Sequence, residues 1–243
     1  MQWSDEGFVL GCRKHGETSV ILEVLTPVHG RHMGLVRGGR SRRFSAALQP
    51  GNSLHLTWNA RLPDHLGTFV IEPVKMRAAQ LMSNALGTYG VQLLASYVRL
   101  FPERVAQKNF YDAVAIALDH FDQASVCGPL MVRMECAVLE ELGFGLDLQT
   151  CAATGDKTDL TFVSPKSARA VSATAGEPYR DKLLPLPSFL TQTTERQATI
   201  SDILAGFRLT GYFLNRHVFE PREIDEPQSR IGFIAAVERQ LSA

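Results

Sequence analysis

The spacing of apolar residues changes once along this chain, close to Lys75, and this change constrains the fold more than any other feature. Before it, apolar residues come in short runs separated by turn dipeptides, and residues 54–59 alternate between apolar and polar. Such alternation is expected of a strand with one buried face. The runs cover residues 8–10, 20–25, 33–36, 54–58 and 69–74. Five short strands in close succession predict a small closed barrel of the OB-fold type, with an SH3-like barrel as the alternative.

Beyond Lys75, apolar residues recur every three or four positions, which predicts amphipathic helices. The expected helices cover residues 81–101, 110–121, 129–143 and 200–218. In the first helix the predicted inward residues are Leu81, Ala85, Tyr89, Leu93, Tyr97 and Phe101. In the third, Pro129 suits the first turn and Gly143 suits the C-cap.

The segment of about residues 151–190 is rich in Gly and Pro and contains one strand-like piece, residues 160–163. A structureless loop of this length is improbable inside a compact domain, so we expect a small inserted subdomain. The pattern predicts an α+β chain. Residues 1–78 form the five-stranded barrel, and residues 79–243 form an α-helical domain that carries the insertion.

Composition excludes several classes of protein. The chain has 25 Lys and Arg against 25 Asp and Glu, and 45% of its residues are hydrophobic, which is typical of a globular protein. No apolar run reaches the roughly 18 residues that a membrane span needs, and the acidic start is unlike a secretory signal. We therefore expect a cytoplasmic protein. The four cysteines are far apart and are expected to be free thiols, mostly buried, with Cys12 in a strand.

The balanced total conceals a basic segment. Residues 24–63 contain six Arg and no Asp or Glu that could neutralise them. Four of these arginines fall within seven residues, Arg37–Arg43, on a Gly-rich turn, where guanidinium groups could bind phosphate oxygens. Phe44 follows directly and could stack on a base. The predicted polyanion contacts are Arg31, Arg37, Arg40, Arg42, Arg43 and Phe44, and the alternative is a solvated basic loop.

No pattern in the chain points to catalysis. The spacing of a nucleotide-hydrolysis loop and the Gly-x-Ser-x-Gly elbow are both absent. His29 and His32 have a spacing that could bind a metal, but no Cys or carboxylate lies close to them in the sequence, so a structural role is favoured. We predict neither an enzyme nor a metal site.

Several ordered pieces of the sequence resemble the bacterial recombination mediator family RecO. They are Glu6-Gly7-Phe8-Val9-Leu10, Gly16-Glu17-Thr18-Ser19, Leu25-Thr26, Gly30-Arg31, the arginine run, Leu48-Gln49-Pro50, and Leu142-Gly143-Phe144 followed by Cys151. The resemblance implies an OB-fold, a helical domain and a zinc-ribbon-like insertion. It further implies a non-enzymatic, nucleoid-associated mediator that binds single- and double-stranded DNA, anneals complementary strands and helps load RecA.

The resemblance also implies partners and site residues. The partners are RecR, the acidic C-terminal tail of single-stranded DNA-binding protein and, indirectly, RecA. The arginine run would contact DNA, and Arg133 would meet the acidic tail, with an internal ion pair to Glu135 or Glu140 as the alternative. Zinc-bearing members have paired cysteines, whereas Cys151 stands alone here. We therefore expect a metal-free vestige of the ribbon, without a cofactor, held by packing of Leu160 and Phe162.

Two other functions stay open at this stage. An OB-fold protein that binds RNA would share the basic loop. A protein-binding scaffold would use the helical domain instead and would show little salt-dependent affinity for nucleic acid.

Overall fold

The computed structural model describes residues 1–191 and 198–242. The chain forms two compact units, Met1–Asp122 and Gln123–Ala243, called here the N-terminal and the C-terminal unit. The boundary predicted at residue 78 marks the end of the barrel, whereas the boundary at Asp122 divides the chain into compact units. The predicted domain division therefore stays a prediction.

Five strands close into a barrel in the N-terminal unit. They are β1 (Gln2–His15), β2 (Ser19–Thr26), β3 (Gly30–Val36), β4 (Ser53–Asn59) and β5 (Thr68–Lys75). Their order is β1-β2-β3-β5-β4, and β4 pairs with β1 to complete the circuit. The α+β fold with a five-stranded OB-fold barrel is confirmed.

The barrel interior is apolar and tightly packed. Leu22, Leu54 and Leu56 are fully buried. Trp58 is also buried, and its indole N–H donates to the Leu66 carbonyl at 3.0 Å, which satisfies the ring's only polar group. The core as a whole consists of Val9, Val20, Leu22, Val24, Val36, Ala47, Leu48, Leu54, Leu56, Trp58, Phe69 and Ile71.

Cys12 is exposed, so the expectation that its strand position would bury it is wrong. The buried run of β1 ends at Leu10, and the last residues of this long strand extend beyond the core. The other cysteines follow the expectation better, since Cys127 and Cys151 are buried and Cys136 is half-buried.

The helices of the N-terminal unit are α1 (Arg42–Ser45), α2 (Ala78–Met82), α3 (Ala85–Val98) and α4 (Lys108–Leu118). The single helix predicted for residues 81–101 is wrong, because Asn84 caps a new helix by accepting a hydrogen bond from the Gly87 N–H at 2.8 Å. Tyr89, predicted to point inward, is 37% exposed, and Phe101 is buried beyond the helix end. The helix predicted for residues 110–121 is present as α4, which begins at Lys108 and ends three residues earlier than predicted, at Leu118.

The C-terminal unit is built on α5 (Ala124–Glu141), α7 (Ile200–Leu214) and α8 (Gln228–Leu241). Pro129 lies inside α5 rather than in its first turn, because the helix begins at Ala124. Gly143 ends it with φ +85°, as its predicted capping role requires. The helix predicted for residues 200–218 continues past α7 as a π-helical turn, Asn215–Phe219. The sequence reading missed α8.

The insertion contains a small sheet of β6 (Leu160–Val163), β7 (Ala170–Ser172) and β8 (Leu184–Pro185), in the order β7-β6-β8, with the helical turn α6 (Ala173–Gly176) after β7. Phe162 packs so closely on Gly176 that a Cβ there would lie 2.5 Å from the ring.

Cys151 is buried beside β7, where the Ser172 N–H lies 3.3 Å from its sulfur. Across residues 1–191 and 198–242, no group of three or more His, Cys, Asp or Glu could hold a metal ion. Cys151, with Ser172 as its neighbour, does not supply the four Cys or His ligands of a tetrahedral zinc site. The description of the insertion as a metal-free ribbon vestige stays a prediction.

Candidate nucleic-acid interface

The arginine run forms the connection from β3 into α1 at one end of the barrel. Gly38 has φ +67°, a conformation that favours glycine, and Gly39 lies so close to the barrel that a Cβ would sit 2.6 Å from Val20. The loop is therefore held against the barrel wall, while Arg37, Arg42 and Arg43 are exposed. Within the described part of the chain, none of these three arginines forms an ion pair.

Arg40 is exposed, but its guanidinium also binds backbone carbonyls of the protein itself. Its guanidinium donates to the Glu17 carbonyl at 2.6 Å and to the Gly16 carbonyl at 3.3 Å. The backbone N–H of Arg40 donates to the Thr18 carbonyl at 3.0 Å. Arg40 thus ties the loop to the turn between β1 and β2. Its assignment as a DNA contact stays a prediction.

Phe44 is half-buried and packs against the barrel core, so one side of its ring is already covered. The Arg43 guanidinium carbon lies 5.4 Å from the ring centroid, a cation–π arrangement. A planar, cationic surface of this kind suits an aromatic base lying beside a phosphate.

Arg31 lies apart from the other predicted contacts. It is the second residue of β3, whereas Arg37 follows the end of that strand, about 20 Å away at the rise of a β-strand. Its guanidinium is 3.1 Å from Glu23 and 3.2 Å from Glu103, and Glu23 also binds Arg99 at 2.7 Å. The expectation that no acid would neutralise the basic segment is therefore wrong for Arg31, because acids from outside residues 24–63 fold against it.

A groove of about 570 Å³ opens beside the loop, at the seam where β5 approaches β3. We call it the seam groove. One side consists of Val36, Arg37, Arg43 and Phe44, and the other of Asn59, Thr68, Phe69, Val70, Ile71 and Glu72. The structure thus brings three of the predicted residues, Arg37, Arg43 and Phe44, to one concave surface.

His29 and His32 each have a protein partner. The Nδ1 atom of His29 lies 3.2 Å from an Asp5 carboxylate oxygen, and the ring stacks on Trp3 at 3.9 Å. His32 is buried between aromatic rings, with its Nδ1 3.0 Å from the Met33 carbonyl, and burial lowers its pKa to about 4. These contacts agree with the structural role favoured for both residues.

Arg133 lies on α5 in the C-terminal unit. It donates to the Phe189 carbonyl at 2.8 Å, and its guanidinium carbon lies 5.5 Å from the Phe189 ring centroid. Glu135, one of its two predicted alternative partners, is fully buried and is bound instead by Arg230, with Nε to Oε1 at 2.9 Å. The assignment of Arg133 to a partner's acidic tail stays a prediction.

Two family models match the chain. "Recombination protein O N terminal" covers residues 1–77, and "Recombination protein O C terminal" covers residues 80–223. The chain belongs to the RecO family. A DNA repair protein RecO of Mesorhizobium japonicum is 54% identical to it over 98% of this chain and 94% of the relative. Relatives of the same name from Chelativorans and Brucella abortus are 53% and 52% identical, over 99% and 100% of this chain and 97% and 98% of theirs.

Membership of the RecO family gives the chain a role in DNA repair and recombination. The arginine run and the whole seam groove fall within the N-terminal RecO model, and Arg133 falls within the C-terminal one. No helix among the described residues is long and apolar enough to cross a membrane.

Sequence reasoning missed one side of the seam groove. Asn59 lies on β4 within the basic segment, and Thr68, Val70 and Glu72 lie on β5 beyond it. None of them belongs to a recognisable motif. The signal that could have found them is register. In a barrel of the order β1-β2-β3-β5-β4, the start of β5 must lie beside the end of β3.

Proposed function

We propose that this RecO-family protein binds single- and double-stranded DNA through its phosphates, without sequence preference, and promotes annealing of complementary strands. The observation that carries the proposal is the exposed set Arg37, Arg42 and Arg43, which has no acidic partner within the described residues. Guanidinium groups free of internal ion pairs can exchange the counterions of DNA for protein contacts.

Charge neutralisation is the proposed mechanism of annealing. Two complementary strands repel each other through their phosphates, and they pair only when their base edges stay accessible. Arginine contacts to phosphate reduce the repulsion and leave most base edges uncovered, whereas contacts to base edges would compete with pairing. The reaction needs no covalent step, so the proposed protein is not an enzyme and requires no cofactor or metal.

The finer parts of the proposal rest on the RecO family. We propose that the protein helps load RecA onto DNA coated by single-stranded DNA-binding protein. It would do so by binding RecR and the acidic tail of the single-stranded DNA-binding protein. Arg133 supports the last step physically, because an exposed guanidinium beside the ring of Phe189 offers a carboxylate both charge and an apolar neighbour.

The test is a double substitution, Arg42→Ala with Arg43→Ala, measured as DNA affinity across a salt series. Each lost contact to single-stranded DNA lowers the salt slope by about 0.7, so the pair lowers it by about 1.4, uniformly across sequences. The same variant should anneal strands more slowly, whether they are bare or coated.

A control with the same change of charge is Arg180→Ala with Lys182→Ala, two exposed residues of the insertion. It should leave the slope unchanged. Equal slopes for the wild type and the Arg42/Arg43 variant would place the DNA contact elsewhere, and tighter binding to matched RNA strands would favour an RNA-binding protein.

A further inference from the structure

The barrel is only loosely closed along one seam. β5 pairs with β4 from Lys75 opposite Ser53 to Thr68 opposite Asn59, but it pairs with β3 at a single position, Leu35 opposite Thr68. β3 ends at Val36, one residue beyond this pair, whereas β5 continues to Lys75, and the seam groove lies beside this extension of β5. A strand edge of this kind presents N–H and C=O groups that can bind a ligand.

The inside of the seam groove combines one partly exposed aromatic ring with neutral polar groups. Phe44 supplies the ring, and Asn59 and Thr68 supply an amide and a hydroxyl, whereas the Phe69 ring is buried in the barrel core. Such groups suit a flat heterocycle, because a nucleobase stacks on rings and carries both donors and acceptors along its edge.

The charges around the groove are arranged unevenly. Arg37 and Arg43 belong to the side formed by the loop, whereas Glu72 belongs to the side formed by β5. A carboxylate there repels phosphate, so the phosphates of a bound strand belong on the arginine side. The part of the nucleotide that enters the groove is then its uncharged base, whose N–H groups can donate hydrogen bonds to a carboxylate.

We propose that the seam groove receives a single unpaired nucleobase of a DNA strand whose phosphates lie on Arg37 and Arg43. This inference rests on the proposed function and adds to it a reason for the protein to distinguish single strands from duplex. A volume of about 570 Å³ lies in the ordinary range of small-molecule sites. Bases within a duplex are paired and stacked, so they cannot enter without being flipped out.

The first measurement compares the wild type on two strands of equal length, oligothymidine and an abasic sugar–phosphate oligomer. Both carry the same phosphates, but only the first offers bases. We expect binding to the abasic strand to be weaker by roughly tenfold, in the range of one base stacked on aromatic rings.

The second measurement fills the groove. Val70 lines it and is 61% exposed, so Val70→Trp places a large ring in the space proposed for the base. Val74 is the matched control, since it lies on the same strand, is 52% exposed and does not line the groove. Val70→Trp should bind oligothymidine as weakly as the abasic strand and keep its duplex affinity, whereas Val74→Trp should behave as the wild type.

Three results would overturn the inference. They are equal wild-type affinity for the two strands, a base-dependent difference that survives in Val70→Trp, and ultraviolet crosslinks from wild-type protein to thymine that map outside Phe44 and residues 68–72. The crosslinking needs no substitution, so it decides the question even if Val70→Trp fails to fold. A wild type that binds all strands equally refutes the groove alone, whereas salt-independent or absent binding to every strand refutes the proposed function as well.

Discussion

The buried ion pair between Arg230 and Glu135 permits a quantitative test of what holds the C-terminal unit together. Arg230 on α8 donates to Glu135 on α5 through Nε at 2.9 Å and through Nη2 at 3.1 Å. The side chain of Arg230 is 6% exposed and that of Glu135 is 0% exposed. The perturbation is Arg230→Met, which keeps the length of the side chain and removes its charge.

The structure sets the expected cost. Removing one partner of a buried, hydrogen-bonded ion pair costs about 3–5 kcal/mol, because the remaining charge stays in a medium of low polarity. Arg230 also donates to the Phe207 carbonyl at 2.6 Å, so the substitution deprives a buried acceptor as well. We therefore expect a loss near 4–5 kcal/mol in the free energy of unfolding of this unit.

The assay is urea unfolding of the full chain, followed by far-ultraviolet circular dichroism. Both tryptophans of the chain, Trp3 and Trp58, belong to the N-terminal unit, so their fluorescence follows that unit separately. Glu226→Gln is the control, because it changes the more exposed partner of Arg230 and should cost less than about 1 kcal/mol.

A double variant, Arg230→Met with Glu135→Leu, completes the cycle. An apolar pair often replaces a buried ion pair at little cost, so the double variant should be more stable than Arg230→Met alone. Costs that simply add, or a cost for Arg230→Met no larger than that of Glu226→Gln, would refute the reasoning.

Two further predictions concern the barrel. Because the pKa of His32 falls to about 4 in the folded state, the unfolded chain binds more protons between that value and about 6.5. Stability should therefore decline, by on the order of 3 kcal/mol, as pH falls through this window, and His32→Phe should flatten the decline in urea titrations followed by tryptophan fluorescence. Gly34→Ala should destabilise the barrel by about 1–3 kcal/mol in the same assay, since a Cβ would lie 2.4 Å from Phe69, and an unchanged midpoint would show that this ring moves freely.

The five strands were predictable from the sequence because each is recorded in a local pattern of apolar runs and turn residues. The helices were harder to delimit. The pattern of residues 81–101 runs continuously through the break at Asn84, and only the capping hydrogen bond to Gly87 reveals two helices. α8 was missed because its apolar residues form one continuous run, residues 231–237, which carries no helical periodicity.

Part of the candidate interface was likewise predictable from the sequence, and part was not. The sequence was sufficient to find the Arg37–Arg43 cluster, because the cluster is contiguous and its glycines mark a turn. It could not show that Arg31 is neutralised, since Glu103 lies far along the chain and meets Arg31 only after folding.

The amino-acid sequence by itself determined where the five strands lie along the chain, which family the chain resembles and where the basic loop is. All three depend on residues that are adjacent in the chain. Only the tertiary structure decided which arginines remain without an acidic partner and where the seam groove opens. The first depends on the packing of Glu103, which follows α3, against Arg31, and the second on the closure of the barrel, which places the start of β5 beside Arg37, Arg43 and Phe44. Neutralisation and concavity arise between residues distant in sequence, and no local pattern records them.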